Sequence, residues 1–315
     1  MGGSGISGEF LQNYLQEVNF NIPLSLVRGY RLPQNFTSDS LIIIVSYSGN
    51  TRETLTCLYE SLKRNIPVVL ISSGGVCVKL SEQANFPLVL LPKGYEPRAA
   101  FPVLFGAIAG VLVNIFPQLS FLEEDLKSLS KLLDQQNLLY ESKVPLKSNL
   151  AKQLALKWLN VVPIFLSEYL CLGMRMKGQM NENSKKMAFY DTFPEMMHNT
   201  TQSWKDEKIN ELPFHFVRTI IHEDSEMQDK TSYGLQLANY KFTDKVDNLD
   251  FSKASNNLLH KLFLVTYLVD YASIYLAFLR NYDPSFIDIV VGMKDKFEPE
   301  LTKRFDVHSE LFKLI

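Results

Sequence analysis

At 315 residues the chain has room for about two domains of ordinary size. Its 46% hydrophobic and 21% charged composition is that of a soluble globular protein, and a net charge of −2 excludes a general attraction to nucleic acid or anionic membrane, so any anion site must be local. The three cysteines, Cys57, Cys77 and Cys171, show no CxxC spacing and no histidine pair has the spacing of a zincin helix, which argues against a disulfide frame and a metal site and for a reducing, cytoplasmic compartment.

The chain opens on Gly2-Gly3-Ser4-Gly5-Ile6-Ser7-Gly8, ahead of an amphipathic stretch over residues 9–18. Glycines before a helix let a ligand approach the backbone closely, although a glycine-rich start also fits a loose terminus. No basic segment followed by an apolar run marks a signal peptide. Residues 24–30 predict a short strand. Residues 41–45, Leu-Ile-Ile-Ile-Val, predict a strand buried on both faces. The turn that follows, Ser46-Tyr47-Ser48-Gly49-Asn50-Thr51, opens a helix over 53–64 with Leu55, Leu58, Tyr59 and Leu62 at helical spacing. Its hydroxyls, together with the free N–H groups of the helix start, suit one small phosphate. The turn has no lysine and lacks the spacing of a P-loop, which favours a monophosphate on a small molecule over ATP. The same string also reads as an ordinary hydroxyl-capped helix.

A strand at 68–71, a turn at Ser72-Ser73-Gly74-Gly75, a helix at 78–84 and a strand at 87–91 continue the alternation. Such a pattern predicts a parallel α/β sheet with ligands beyond the carboxyl ends of its strands, where Arg98 also falls. Residues 99–116 are apolar but broken by Pro102, Gly106, Gly110 and Asn114, so they predict a buried helix and not a membrane span. From 121 to 150 leucines alternate with charges and end in a polar Gln135-Gln136-Asn137 segment. This predicts a helical and polar linker between a first domain, 1–120, and a second, 151–315. The second domain predicts a helix to 159, a strand at 161–166, a helix after Ser167-Glu168, a strand at 214–221, a long apolar helix at 256–279 and a closing helical segment at 287–297. Taken singly, Glu182 reads as part of a polar helix start, His198 as a hydrogen-bonded core or surface histidine, and Lys294 as a solvated lysine.

Several strings coincide, however. Gly-Gly-Ser-Gly-Ile-Ser-Gly at 2–8, Ser-Tyr-Ser-Gly-Asn-Thr-Arg-Glu-Thr at 46–54, Ser-Gly-Gly at 73–75 and Pro-Arg-Ala-Ala at 97–100 resemble a sugar isomerase (SIS) domain. Asn-Glu-Asn-Ser-Lys at 181–185 and Pro-Glu-Met-Met-His-Asn at 194–199 narrow the resemblance to the bifunctional phosphoglucose/phosphomannose isomerases. The resemblance implies two stacked, flavodoxin-like SIS domains in a homodimer and a hexose 6-phosphate substrate, with no cofactor and no metal. It implies Ser46, Ser48 and Thr51 as phosphate ligands and Gly3 and Ser4 along the sugar. Glu182 becomes the proton-shuttling base, Arg98 the group beside the reacting carbons, and His198 a ring-opening histidine donated by the partner subunit. The terminal catalytic lysine is Lys294, with Lys296 as the alternative. A non-catalytic, sugar-phosphate-binding SIS regulator is the competing reading, because the phosphate turn alone serves both. In the proteins it resembles, a core strand precedes the glycine-rich motif; here that motif starts at residue 2, so the first sheet is expected to lack that strand and to carry a gap or an exposed edge.

Overall fold

The computed structural model of the protein describes residues 1–206, 208–223, 242 and 244–315. They form two units, residues 1–120 with 287–315, and residues 121–286. In the first unit, α1 (Gly2–Glu17) is followed by β1 (Ile42–Val45), α2 (Arg52–Lys63), β2 (Val68–Ser72), α3 (Gly75–Ala84), β3 (Leu88–Leu90) and α4 (Phe101–Ile115). The strands are parallel in the order β1-β2-β3, with Ile42 opposite Val68 and Leu70 opposite Leu88. Leu55 and Leu58 of α2, Leu70 of β2 and Val76 and Leu80 of α3 make the core of this unit. Phe10 of α1 meets Phe101 of α4 edge-on at 4.9 Å.

Two expectations for this unit are corrected. The β1 segment is not buried on both faces: Ile44 is fully buried, but Ile42, Ile43 and Val45 are half-buried, because β1 is an edge strand. Residues 24–30 form no strand. A ladder needs a neighbouring strand edge, and this segment runs against helices instead. Gln12 donates to the Leu24 carbonyl (2.6 Å), Arg28 pairs with Glu9 (2.8 Å), and the Cys57 thiol donates to the Gly29 carbonyl (3.4 Å).

The second unit contains α5 (Phe121–Tyr140), α6 (Leu150–Lys157), β4 (Val162–Ser167), α7 (Leu170–Asn183), β5 (Phe189–Thr192), β6 (Phe214–Ile220), β7 (Val246–Asp250) and α8 (Leu258–Leu279). Its parallel sheet runs β5-β4-β6-β7. Read as second, first, third, fourth, this is the flavodoxin-like order. Helix α8 is the one described helix long and apolar enough to cross a membrane, yet it is the core helix of this unit, with Leu262, Val265, Leu268, Val269, Ala272 and Leu276 buried. Its Asp270 pairs with Arg175 of α7 at 2.6 Å.

Residues 121–150 are not a linker. Helix α5 continues through Gln135, Gln136 and Asn137 and buries Leu122, Leu129 and Tyr140. The side-chain amide oxygen of Asn137 accepts the Tyr271 hydroxyl of α8, so the end of the polar run that suggests a break makes a tertiary contact. The chain then returns to the first unit with α9 (Asp288–Arg304) and α10 (Val307–Phe312), so the second unit ends at 286 and not at 315. Val307 and Leu311 of α10 enter the core around Leu55 and Leu58.

At the amino ends of β4 and β6 a charged cluster closes on Asp247 of β7. Its carboxylate lies 2.9 Å from His215 Nε2, accepts the Trp158 indole N–H (3.2 Å), and pairs with Lys157. Burial pushes the carboxyl up, but the bonds from His215 and Lys157 outweigh it and bring it down to about 2. A depressed folded value means the contribution is present above the ordinary carboxyl range and is lost as pH falls through about 2. Asp247→Asn is therefore expected to lower the melting temperature at neutral pH, by about 1–3 kcal/mol of stability, and to flatten its fall between neutrality and strong acid. Parallel melting curves for variant and wild type across that range would dismiss the cluster as a stabilising element.

Candidate active site

The first unit gathers most of the implied ligands at the carboxyl ends of β1 and β2. The turn after β1 is held from inside: Ser46, fully buried, donates to the Thr51 hydroxyl (3.0 Å), and the Asn50 N–H donates to Ser48 Oγ (3.3 Å). Thr51 is the N-cap of α2 but makes no side-chain capping bond, so the first-turn N–H groups of α2 are served by no cap from within the loop. Donors of that kind, backed by a helix dipole, are where an anion binds.

This turn interlocks with the one after β2. Gly49 (φ +68°) lies so close to the second turn that a Cβ on it would sit 1.8 Å from the Gly74 carbonyl oxygen. A Cβ on Gly75 (φ +64°) would sit 2.4 Å from the Ser48 carbonyl oxygen. Asn50 Oδ1 accepts the Val76 N–H (3.0 Å), and Ser73 donates to the Tyr47 carbonyl (2.7 Å). Tyr47 extends the brace outward: its hydroxyl donates to the Pro92 carbonyl and accepts the Tyr95 N–H, both at 2.9 Å.

Residues 2–8 are not a loop ahead of a helix but the first turns of α1. Ser4 Oγ accepts the Tyr47 N–H at 3.2 Å, and a Cβ on Gly3 would meet the Pro97 carbonyl oxygen at 2.4 Å and Arg98 Cα at 3.1 Å. Arg98 is buried, with Nη1 3.6 Å from the Glu96 carboxylate. Gly3, Ser4, Ser46, Ser48, Thr51 and Arg98 thus belong to one contiguous assembly. Lys294 and Lys296 lie on α9 of the same unit, both exposed and two residues apart, so about 200° separates them around the helix.

In the second unit Glu182 closes α7 and does not open a helix. The polar Asn-Glu-Asn string is a C-terminus here because the apolar positions Met176 and Met180 lie before it, buried. Glu182 is half-buried, and the chain around it is clamped. Asn183 donates to Ser273 of α8 (2.8 Å), Lys185 to the Glu182 carbonyl (2.8 Å), Arg280 to the Ser184 carbonyl (2.6 Å) and Lys186 to the Leu159 carbonyl (2.9 Å). Leu159 precedes β4, so this end of α7 lies at the amino edge of the second sheet. His198, exposed, ends the 3-10 turn Glu195–His198 beyond the carboxyl end of β5, where the Phe193 N–H donates to the Ser167 carbonyl at 3.0 Å. Glu182 and His198 of one chain therefore sit at opposite edges of one sheet, and the 14 residues of α7 between those edges span about 20 Å. Asn50, Tyr47 and Lys185 escaped sequence reasoning as structural partners; the only signal was that each falls inside a string already singled out. Among the described residues no group of three or more His, Cys, Asp or Glu side chains could hold a metal ion.

Residues 147–297 match the bacterial phospho-glucose isomerase C-terminal SIS domain. A bifunctional phosphoglucose/phosphomannose isomerase of Caldicellulosiruptor bescii is 31% identical over 94% of this chain and 87% of its own. A D-glucosamine-6-phosphate 4-epimerase of Sulfolobus acidocaldarius is 30% identical over 71% of this chain and 67% of its own. Among solved structures, the tagatose-6-phosphate ketose/aldose isomerase of Escherichia coli superposes with a TM-score of 0.62 over 90% of this chain and 82% of that one, at 13% identity, a likeness of fold. With a shared fold, a hydroxyl-rich turn after β1 locked to its neighbour and similarity along nearly its whole length, the chain belongs to the bifunctional phosphoglucose/phosphomannose isomerase family.

Proposed function

We propose that the protein interconverts glucose 6-phosphate, and mannose 6-phosphate, with fructose 6-phosphate through an enediol. The observation that carries this reading is the single assembly of Gly3, Ser4, Ser46, Ser48, Thr51 and Arg98 at one end of the first sheet. The phosphate rests on the 46–51 turn and the start of α2, which leaves the sugar running toward Gly3, Ser4 and Arg98. Opening the ring calls for a proton donor at the ring oxygen, a task for His198, aided by Lys294. Moving a proton between C2 and C1 calls for one carboxylate, Glu182, and the buried guanidinium of Arg98 stabilises the enediolate without competing for the proton. Glucose and mannose phosphates differ at C2, and one base serves both when the enediol turns about C2–C3. Neither step requires redox or metal chemistry.

The working unit is a homodimer in which His198 crosses to the partner's site. Support comes from the placement of Glu182 and His198 at opposite ends of the second sheet, about 20 Å apart along α7, a wide span for two groups that serve one bound sugar. The three cysteines, all buried and none in a disulfide, suit a cytoplasmic protein.

A coupled assay for glucose 6-phosphate formation from fructose 6-phosphate, using the full chain, tests the function. Product analysis with mannose 6-phosphate and glucosamine 6-phosphate belongs to the same experiment. Binding without turnover would favour a regulatory protein, and inversion at C4 a 4-epimerase. Within the isomerase reading, Ser48→Ala is expected to raise KM for fructose 6-phosphate about tenfold, the worth of one phosphate hydrogen bond, with a smaller change in kcat. An unchanged KM would remove Ser48 from the phosphate site.

A further inference from the structure

Arg52 follows the phosphate turn directly and is the first residue of α2, yet its side chain is turned away from the turn's hydroxyls and is only 10% exposed. Nη1 donates to the Glu298 carboxylate (2.9 Å) and the Thr302 hydroxyl (3.4 Å). Nη2 donates to the Leu301 carbonyl (2.8 Å) and to that of Phe305. All four acceptors belong to the end of α9 or the residue just beyond it.

Helix α9 has little else to hold it. None of its residues is buried, Pro299 interrupts its hydrogen-bond ladder, and Ile289, Met293 and Phe297 are at least half exposed. The last carbonyls of a helix have no partner within it and carry the negative end of its dipole. A planar guanidinium meets both needs, because one fork can serve two carbonyls and a carboxylate together. Behind this clamp, Phe305 stacks edge-on against Tyr59 of α2 at 5.3 Å, and α10 is anchored in the core. Lys294 lies seven residues before Leu301, about two turns and 10 Å up the same helix.

We infer that Arg52 is a positioning residue for the isomerase reaction, tying the phosphate turn to Lys294 through the end of α9. The inference rests on the function proposed above. Phosphate bound at the turn fixes the first turn of α2; Arg52, on that turn, fixes α9; and the position of Lys294 follows. Removal of the fork leaves phosphate binding in place and lets the lysine drift, so the loss falls on kcat.

The test is a double-mutant cycle on the full-length enzyme with Arg52→Met, Lys294→Met and the pair, read as kcat and KM for fructose 6-phosphate, Kd for glucose 6-phosphate by calorimetry, and melting temperature. Arg52→Met is expected to lower kcat about 20-fold, with Kd changed by less than about threefold. Arg52→Lys should recover part of the loss, since an ammonium still caps the carbonyls. In the Lys294→Met background Arg52→Met should cost less than about twofold, because the group it positions is gone. Equal costs in both backgrounds, or a Kd that weakens in step with kcat, would overturn the inference while leaving the isomerase reading standing. Full turnover in Lys294→Met would remove that lysine and this coupling together. Absence of turnover in the wild-type chain would overturn the functional reading itself. Should Arg52→Met fail to fold, Glu298→Gln and Arg52→Lys carry the same cycle, with the same non-additivity expected.

Discussion

Replacing Glu182 with Gln is expected to lower kcat for fructose 6-phosphate by about 10³-fold, within the range that a positioned acid–base group supplies. The substitution keeps the volume and hydrogen-bonding reach of the side chain and removes only its ability to accept the migrating proton. The bonds that hold the chain around it go to other groups. Lys185 and Lys186 bind backbone carbonyls, Asn183 binds Ser273, and Arg175 binds Asp270. The melting temperature and the Kd for glucose 6-phosphate should stay near wild type, since the turn proposed to hold the phosphate lies in the other unit. A variant with wild-type turnover would eliminate Glu182 as the base. One that fails to bind the sugar phosphate would show a different role for this helix end.

Mixing that variant with His198→Ala is expected to restore activity that neither has alone. If His198 serves the partner's site, a hybrid dimer carries one site with both groups intact and one with neither. Free exchange of equal amounts makes half the dimers hybrid and recovers about one quarter of the wild-type sites. The figure is the statistics of random exchange, half the dimers hybrid with one intact site of two, and holds only where the histidine crosses to the partner. Native mass spectrometry establishes the exchange and the coupled assay reads the recovery. Exchange without recovery would mean that each chain supplies its own histidine.

The strand, turn and helix around residues 42–63, the buried helix at 101–115 and the alternation of strands and helices were legible because each is written in contiguous residues: a β-branched run, a hydroxyl turn, a helical period. The errors share a different cause. Residues 24–30 have the composition of a strand, but a strand exists only beside another, and that neighbour is not encoded locally. Asn137 reads as loop because its partner hydroxyl is 134 residues away. Residues 287–315 read as the end of the second domain because nothing in their order reports that Arg52, about 250 residues earlier, receives them. For Glu182, Asn and Glu suit either end of a helix, so only the packed methionines before them settle which end it is.

The interlock between the turns after β1 and β2 sets where this protein can vary. Gly49 and Gly75 touch backbone, which cannot turn aside as a side chain does, so even alanine at either position must separate the two turns. Gly106 and Gly110 of α4 face open space, with nothing within 4 Å of an added Cβ. Alanine there should be tolerated and even favourable, by roughly 0.5–1 kcal/mol each, through the unfolded chain's lost freedom. A saturation survey scored for activity should therefore sort these glycines oppositely. Tolerance in this unit follows how near the next backbone lies more closely than it follows depth in the core, so the least replaceable positions are ones with no side chain to lose.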